Sequence, residues 1–94
     1  MSKFTLYKTF ITIVETGSLT SAANTLNQSV SSVSKQLQSL ESSLETKLID
    51  RSTQSFAVTT LGNEFYLKCR QIIESVEAAE QSLKDERDSV NGKL

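Results

Sequence analysis

The clearest pattern in the chain is a run of regularly spaced apolar residues between Leu26 and Leu44. Their spacing of three and four residues places them on one face of an amphipathic helix, because an α-helix has 3.6 residues per turn. This face consists of Val30, Val33, Leu37, Leu40 and Leu44. The stretch therefore predicts a single helix whose apolar face packs against the rest of the chain.

The opposite face of this predicted helix has an unusual chemistry. A solvated face ordinarily mixes Glu and Lys, which form helices better than Ser, but this one carries short hydroxyls, one amide, one lysine and no carboxylate. Its members are Ser31, Ser32, Lys35, Gln38, Ser39 and Ser42. Such groups can hydrogen-bond to phosphates and base edges without repelling them. The pattern predicts a recognition helix that enters a DNA groove by its N-terminal half. The alternative interpretation is a solvated helix that happens to be polar.

Two shorter helices are predicted before the recognition helix. The first covers about residues 5–16, where apolar residues recur at helical spacing. Gly17 follows at the point where a helix commonly ends in the left-handed conformation that glycine tolerates. Ser18 is then the expected N-cap of the second helix, over residues 19–26, because serine hydroxyls accept hydrogen bonds from the first N–H groups of a helix.

A tight turn joins the second helix to the recognition helix. Asn27-Gln28 form this turn, and Ser29 is the expected N-cap of the helix that follows. Two short helices joined by a tight turn, the second with a polar outer face, constitute the helix-turn-helix pattern. The first 44 residues therefore predict a DNA-binding arrangement.

After the recognition helix the periodicity changes to that of short strands. Residues 48–51 and 56–58 are segments of three or four residues on either side of a polar turn, which predicts a small two-stranded wing. Arg51 and Gln54 are its predicted contacts with phosphate or the minor groove. Arg51 could equally pair with the acidic groups around Asp50 or with Glu45.

A long helix is predicted from the capping pair Thr59-Thr60 to about Val90. Apolar residues recur along it with a heptad period, which is typical of a coiled coil. The seam consists of Phe65, Cys69, Ile72, Val76, Ala79 and Leu83. So small a domain cannot cover this seam alone, so the helix is predicted to pair with its own copy in a homodimer. Cys69 is interpreted as a packing residue of the seam rather than a redox sensor.

Composition narrows the classes of function. With one cysteine and no histidine, the chain has neither a disulfide framework nor a His- or multi-Cys metal site, and no cofactor is predicted. No nucleophile–base pair can be assembled, so the chain is not predicted to be an enzyme. The absence of a long apolar run or a signal peptide predicts a cytoplasmic protein with no membrane partner. The net charge is −1, and the first 60 residues carry five basic and four acidic residues, a small basic footprint for a DNA-binding domain.

Several motifs occur together along the chain at a characteristic spacing. The sequence reads TGSLTSAA at residues 16–23, VSKQL at 33–37 and LIDR at 48–51, with Leu40-Glu41 and Gly62 at their expected distances. In this combination the sequence resembles the N-terminal winged helix-turn-helix domain of the LysR-type transcriptional regulators. The resemblance covers the whole chain.

This resemblance implies a mainly α fold with three divisions. Residues 1–60 would form the winged helix-turn-helix domain, with three helices and a two-stranded wing. Residues 61–90 would form a linker and dimerisation helix that pairs antiparallel with its mate. Residues 91–94 would begin the hinge to an effector-binding domain that this sequence does not include.

The chain departs from the family pattern at three positions. Val30-Ser31 stand where the family usually has Gln-Pro, and Gln54 stands where the wing often has a basic residue. Glu45 replaces a common glycine after the recognition helix. The first two changes remove contacts with DNA and the third adds a carboxylate near the wing. Operator preference and affinity, rather than the fold, are therefore expected to differ.

The predicted function is sequence-specific binding of double-stranded DNA by a dimeric regulator. The resemblance implies an interrupted inverted repeat as the site, a small-molecule effector acting through the C-terminal domain, and room for a higher oligomer in the full-length protein. The predicted DNA contacts are Ser18, Ser29, Ser31, Ser32, Ser34, Lys35, Gln38, Arg51 and Gln54. The alternative is a helical dimerisation or protein-interaction module with weak or lost DNA affinity, which the small positive charge and Val30 would favour.

Overall fold

Four helices and one small sheet make up the described part of the chain, residues 2–51 and 56–90 of a computed structural model. The elements are α1 (Lys3–Thr16), α2 (Leu19–Leu26), α3 (Val30–Leu44), β1 (Ile49–Asp50), β2 (Ala57–Val58) and α4 (Thr60–Val90). The predicted fold class, three helices and a two-stranded wing followed by a long helix, is confirmed. Gln54 and the predicted hinge at 91–94 lie outside the described residues. Within the described residues, no helix is long and apolar enough to cross a membrane.

Local capping determines where the first three helices begin and end. α1 begins two residues earlier than predicted, because the Ser2 hydroxyl accepts a hydrogen bond from the backbone N–H of Thr5. Gly17 ends α1 in the left-handed conformation, with φ of 80°. Ser18 and Ser29 cap α2 and α3 as predicted, each accepting a hydrogen bond from the N–H three residues later.

The core lies between α1, α2 and α3, the base of the wing and the first half of α4. Its most deeply buried large side chains are Phe10, Ile13, Val33, Leu37, Leu40, Leu48, Ile49 and Cys69. Two apolar positions of α3 do not belong to it, since Val30 and Leu44 are 43% and 38% exposed. They lie in the first and last turns of α3, so the buried stripe of this helix is shorter than the sequence pattern predicts.

The wing is anchored to the recognition helix by a carboxylate. β1 and β2 pair antiparallel with Ile49 opposite Val58, over two residues each rather than the three or four predicted. The Glu41 carboxylate of α3 accepts hydrogen bonds from the backbone N–H groups of Leu48 and Ile49, at 2.7 and 3.0 Å. These charge-assisted bonds fix the start of β1 against α3.

The first half of α4 packs into the domain's own core, which corrects part of the predicted dimer seam. Cys69 is fully buried within the single chain, so its assignment as a contact with a partner is wrong. Phe65 is half buried and packs its ring against two rings of α1. Its ring centroid lies 5.7 Å from that of Tyr7 and 5.8 Å from that of Phe10. The apolar stripe of α4 therefore faces α1 at its N-terminal end. Burial also raises the pKa of the Cys69 thiol to about 11, which keeps it protonated at neutral pH.

A polar cluster joins the C-terminal end of α1 to α4, and we call it the α1–α4 clamp. It comprises Glu15, Tyr66, Arg70 and Glu74. The Glu15 carboxylate accepts hydrogen bonds from the Tyr66 hydroxyl and the Arg70 guanidinium, both at 2.7 Å. Arg70 also donates to Glu74 at 2.7 Å. Exposed ion pairs of this kind contribute about 0–1 kcal/mol, so the clamp serves mainly to fix the direction of α4.

Glu45, which occupies the position of a common family glycine, adopts a glycine-like conformation. Its φ is 52°, and its N–H bonds to the Glu41 and Ser42 carbonyls at the end of α3. A left-handed residue other than glycine costs roughly 1–2 kcal/mol, partly offset by the greater freedom of glycine in the unfolded chain. We expect Glu45→Gly to raise the free energy of unfolding by about 0.5–1 kcal/mol in urea titrations. Glu45→Ala removes the carboxylate but keeps the strain, so an equal gain there would contradict this account.

Candidate nucleic-acid interface

The exposed face of α3 presents polar side chains that are free to meet a ligand. Ser31, Lys35 and Gln38 are all exposed, as are Ser39 and Ser42 further along the helix. Within the described residues, Lys35 has no hydrogen bond or ion pair, so its ammonium group is available. The face is therefore cationic at its centre, with hydroxyl groups on both sides of Lys35 and the Gln38 amide toward its C-terminal end.

Two of the predicted DNA contacts act first as helix caps. The hydroxyls of Ser18 and Ser29 accept backbone N–H groups at the N-termini of α2 and α3, at 3.0 Å in both cases. The remaining N–H groups of each first turn have no partner inside the helix and carry the positive end of the helix dipole. Such N-termini are suited to phosphate, since they offer hydrogen-bond donors and favourable charge.

Arg51 connects the wing to the recognition helix. Its guanidinium donates a hydrogen bond to the Ser34 hydroxyl at 3.0 Å, and among the described residues it forms no ion pair with Glu45. Arg51, Lys47 and Gln38 line the same open groove, which has a volume of about 400 Å³. The structure therefore brings two further cations, Lys47 and Arg51, to the C-terminal half of the α3 face.

A second groove, of about 450 Å³, runs along the N-terminal half of α3 beside the start of α1. Its lining includes the predicted contacts Ser29, Ser31, Ser32 and Lys35. The other lining residues are Leu6, Gln36 and Ser39. Of the predicted DNA contacts, eight lie within the described residues, and seven of them belong to α3, its N-cap or the start of the wing; Ser18 stands apart at the start of α2.

Two glutamines of functional interest were missed by the sequence interpretation. Gln36 is 5% exposed, and its amide joins α1 to the turn before α3. Gln36 Oε1 accepts from the Thr9 hydroxyl at 2.6 Å, and Gln36 Nε2 donates to Gln28 Oε1 at 2.5 Å and to Ser32 Oγ at 3.1 Å. The available signal was the spacing of residues 28, 32 and 36, a polar stripe between the apolar face and the recognition face.

The sequence model of one protein family matches this chain over residues 4–63. Its description is "Bacterial regulatory helix-turn-helix protein, lysR family". The match spans the three helices, the wing and the first turn of α4. The chain belongs to the LysR family.

Characterised LysR relatives are similar over most of this chain. The HTH-type transcriptional activator AaeR of Escherichia coli (strain K12) is 37% identical over 83 residues, which are 88% of this chain and 27% of AaeR. An HTH-type transcriptional repressor of Pseudomonas aeruginosa (strain UCBPP-PA14) is 31% identical over 84 residues, 89% of this chain and 26% of the repressor. The chain thus spans about a quarter of the length of these relatives.

Solved LysR structures share the fold, and several of them are complexes with DNA. The structure described as a BenM_DBD/catB site 1 DNA complex superposes with a TM-score of 0.88 at 25% identity, covering 94% of this chain and 95% of that one. The CbnR_DBD–DNA complex gives a TM-score of 0.76 at 30% identity, covering 95% of this chain and 99% of that one. Both likenesses extend over α4 as well as the winged helix-turn-helix domain.

Proposed function

We propose that this chain is the DNA-binding module of a LysR-type transcriptional regulator and binds double-stranded DNA at an interrupted inverted repeat. The observation that carries the proposal is the exposed, carboxylate-free face of α3, with Lys35 unengaged by any described residue at its centre. An α-helix fits the major groove of B-DNA, and groups of this kind bond to base edges and phosphates. The similarity to domains solved in DNA complexes supports the same conclusion.

The contacts divide by chemistry into base-reading and phosphate-binding groups. Ser31 and Gln38 project from α3 toward base edges, together with Ser32 and Ser34 at its flanks, and the Lys35 ammonium group between them also neutralises a phosphate. The N-termini capped by Ser18 and Ser29 bind phosphates through backbone N–H groups. Arg51, held by Ser34, binds phosphate or the minor groove beside the wing, and Gln54 is assigned to the same region from the sequence.

The partner of α4 in this proposal is a second copy of α4. Ile73 is buried in the chain's own core, whereas Ile72 and Leu83 of the predicted seam are 44% and 69% exposed, with Val76 and Ala79 between them. An amphipathic helix leaves such a stripe exposed only at a cost in free energy, which an antiparallel homodimer removes. The dimer then presents two recognition helices to two half-sites.

The functions of the whole protein extend this proposal. The relatives include an activator and a repressor and are nearly four times the length of the match. We infer that a C-terminal domain senses a small-molecule effector and that the position of the site on DNA determines whether transcription rises or falls. The full-length regulator could also assemble into a higher oligomer than the dimer. Because its DNA target is the bacterial chromosome, we infer that the protein acts in the cytoplasm.

A gel-shift experiment on the DNA upstream of the native gene tests the proposal. We expect sequence-dependent retardation whose log–log salt slope is about −4 to −6 for a dimer, because only two or three phosphates per subunit face Lys35, Lys47 and Arg51. Lys35→Ala should make the slope shallower by about 1 per subunit. Lys84→Ala, at another exposed lysine in the far half of α4, should leave the salt slope unchanged.

Two results would contradict this proposal in different ways. A wild-type slope near −10 would mean that cationic contacts beyond these three carry the binding. Absence of sequence-dependent retardation would instead favour a helical dimerisation or protein-interaction module with weak or lost DNA affinity. That alternative is favoured by the net charge of only +1 over residues 1–60.

A further inference from the structure

The Gln28 side chain is held in place although it lies on the surface. Its Oε1 accepts hydrogen bonds from the Ser32 hydroxyl at 3.0 Å and from Gln36 Nε2 at 2.5 Å. Its backbone is equally fixed, since its N–H bonds to the Ala23 carbonyl at 2.9 Å after the left-handed Asn27. An exposed glutamine ordinarily samples many rotamers, so this one is ordered by the fold before any ligand arrives.

The orientation of the Gln28 amide is determined from inside the core. Gln36 Oε1 faces α1, where it accepts from the Thr9 hydroxyl at 2.6 Å, and Gln36 Nε2 lies on the other side of the amide, toward Gln28 and Ser32. That donor engages Gln28 Oε1, so Gln28 Nε2 lies on the side of the exposed amide opposite these contacts. Within the described part of the chain, no acceptor bonds to Gln28 Nε2. The chain of hydrogen bonds from Thr9 through Gln36 to Gln28, which we call the relay, therefore ends in a hydrogen-bond donor at the surface.

The position of this donor coincides with the entry point of the recognition helix. Gln28 directly precedes Ser29, the N-cap of α3, and lies one turn before Ser32, which lines the groove beside Ser31 and Lys35. Nearby Val30 is exposed and can offer DNA only apolar contact. The Gln28 side chain thus places a fixed amide donor beside Val30, where the first turn of α3 has no side-chain amide.

We propose that Gln28 is a specificity-determining residue that donates a hydrogen bond from Nε2 to a base-edge acceptor in the major groove, and that Gln36 is its positioning residue. The acceptors of matching chemistry are guanine O6 or N7, adenine N7 and thymine O4. Because the side chain is ordered on folding, its ordering does not oppose binding. This inference rests on the proposed DNA-binding function and adds a contact outside the helix face.

The sharpest test replaces the donor by an acceptor of the same shape. In Gln28→Glu, one carboxylate oxygen can still accept from Ser32 and Gln36, while the outward nitrogen becomes an oxygen. Sites selected from random DNA by the wild type and by this variant should differ at one symmetric pair of positions. We expect the preference there to change from an acceptor-bearing base to cytosine, whose N4 amino group donates to carboxylates.

Two further variants measure the size of the effect and the role of Gln36. Gln28→Met removes the donor, and we expect discrimination at that pair of positions to fall about twofold to tenfold, the range for one hydrogen bond. Gln36→Met should weaken the same positions, because Gln28 is no longer oriented, while the rest of the motif is kept. Gln81→Met changes an exposed glutamine on the face of α4 opposite the seam and should alter nothing.

Each opposing result has a distinct meaning. A uniform loss of affinity across all sequences in Gln28→Glu would show a phosphate contact and overturn the base-reading role. Unchanged motifs in Gln28→Glu and Gln28→Met would overturn the contact itself. If Gln36→Met lowers thermal stability but leaves the positional preference intact, Gln36 is structural only. Failure of the wild type to select any motif would instead count against the proposed function.

Discussion

Replacing Val76 and Leu83 together with glutamate is expected to convert the protein from a dimer to a monomer. Each large apolar side chain contributes about 1.5–3 kcal/mol when it is buried, and both are duplicated across the proposed interface. Substitution by glutamate would remove that contribution and place negative charges from the two subunits close together in the interface. Neither side chain is buried in the single chain, so the domain itself should stay folded. Sedimentation equilibrium measures the change directly.

The control for this experiment is a pair of glutamates on the outer face of α4. Ala78→Glu and Gln81→Glu add charge at exposed positions turned away from the seam, so this variant should stay dimeric. A monomer among the controls would indicate that charge on the helix, rather than the seam, decides assembly. If Val76→Glu/Leu83→Glu remains dimeric, the subunits associate through another surface and the proposed interface is wrong.

Gly62→Ala is expected to cause a large loss of stability, although it adds only one methyl group. A Cβ atom at this position would overlap the carbonyl oxygen of Leu48 and lie 2.9 Å from Val58 Cγ1. The Leu48 oxygen is held by the Thr59 N–H at 3.0 Å, so relief requires the wing to move away from α4. Overpacking costs about 1–3 kcal/mol, and we expect a value at the upper end.

Thermal unfolding followed by circular dichroism measures this loss. A domain of this size loses about 4–8 °C in Tm per kcal/mol, so a decrease of more than about 10 °C is expected. Asn63→Ala, an exposed position in the same helical turn, is the matched control and should shift stability by less than about 0.5 kcal/mol. Equal effects of the two substitutions would contradict the steric explanation.

Features that depend on neighbouring residues alone were predicted well from the sequence. Ser18 and Ser29 cap their helices and Gly17 ends α1 as expected, since each motif is formed by a few consecutive residues. The boundary of α1 was displaced only because Ser2 provides an earlier cap. The extent of α4 was predicted equally well, because a heptad pattern over many turns is a strong signal.

Features that depend on which elements pack together were predicted less well. The stripe of α4 was expected to face a partner throughout, yet Cys69 is buried in the core of its own chain. A heptad pattern shows that a face is buried but not by what. For the same reason the sequence did not predict the hydrogen bonds of Gln36. Their partners are Thr9 of α1 and Gln28 of the turn before α3, which are distant from one another in the sequence.

The α1–α4 clamp makes the long helix behave as a lever with a fixed pivot. Beyond Glu74, its last clamp residue, α4 continues for sixteen residues to Val90, which corresponds to about 24 Å at 1.5 Å per residue. A change of about 5° in the direction set by Glu15 and Arg70 would displace the far end by about 2 Å. In the proposed antiparallel dimer each far end lies toward the other subunit's domain. In that proposed dimer, we expect the separation of the two recognition helices, and with it the half-site spacing, to depend on a few exposed polar groups far from the DNA as well as on the core packing of α4.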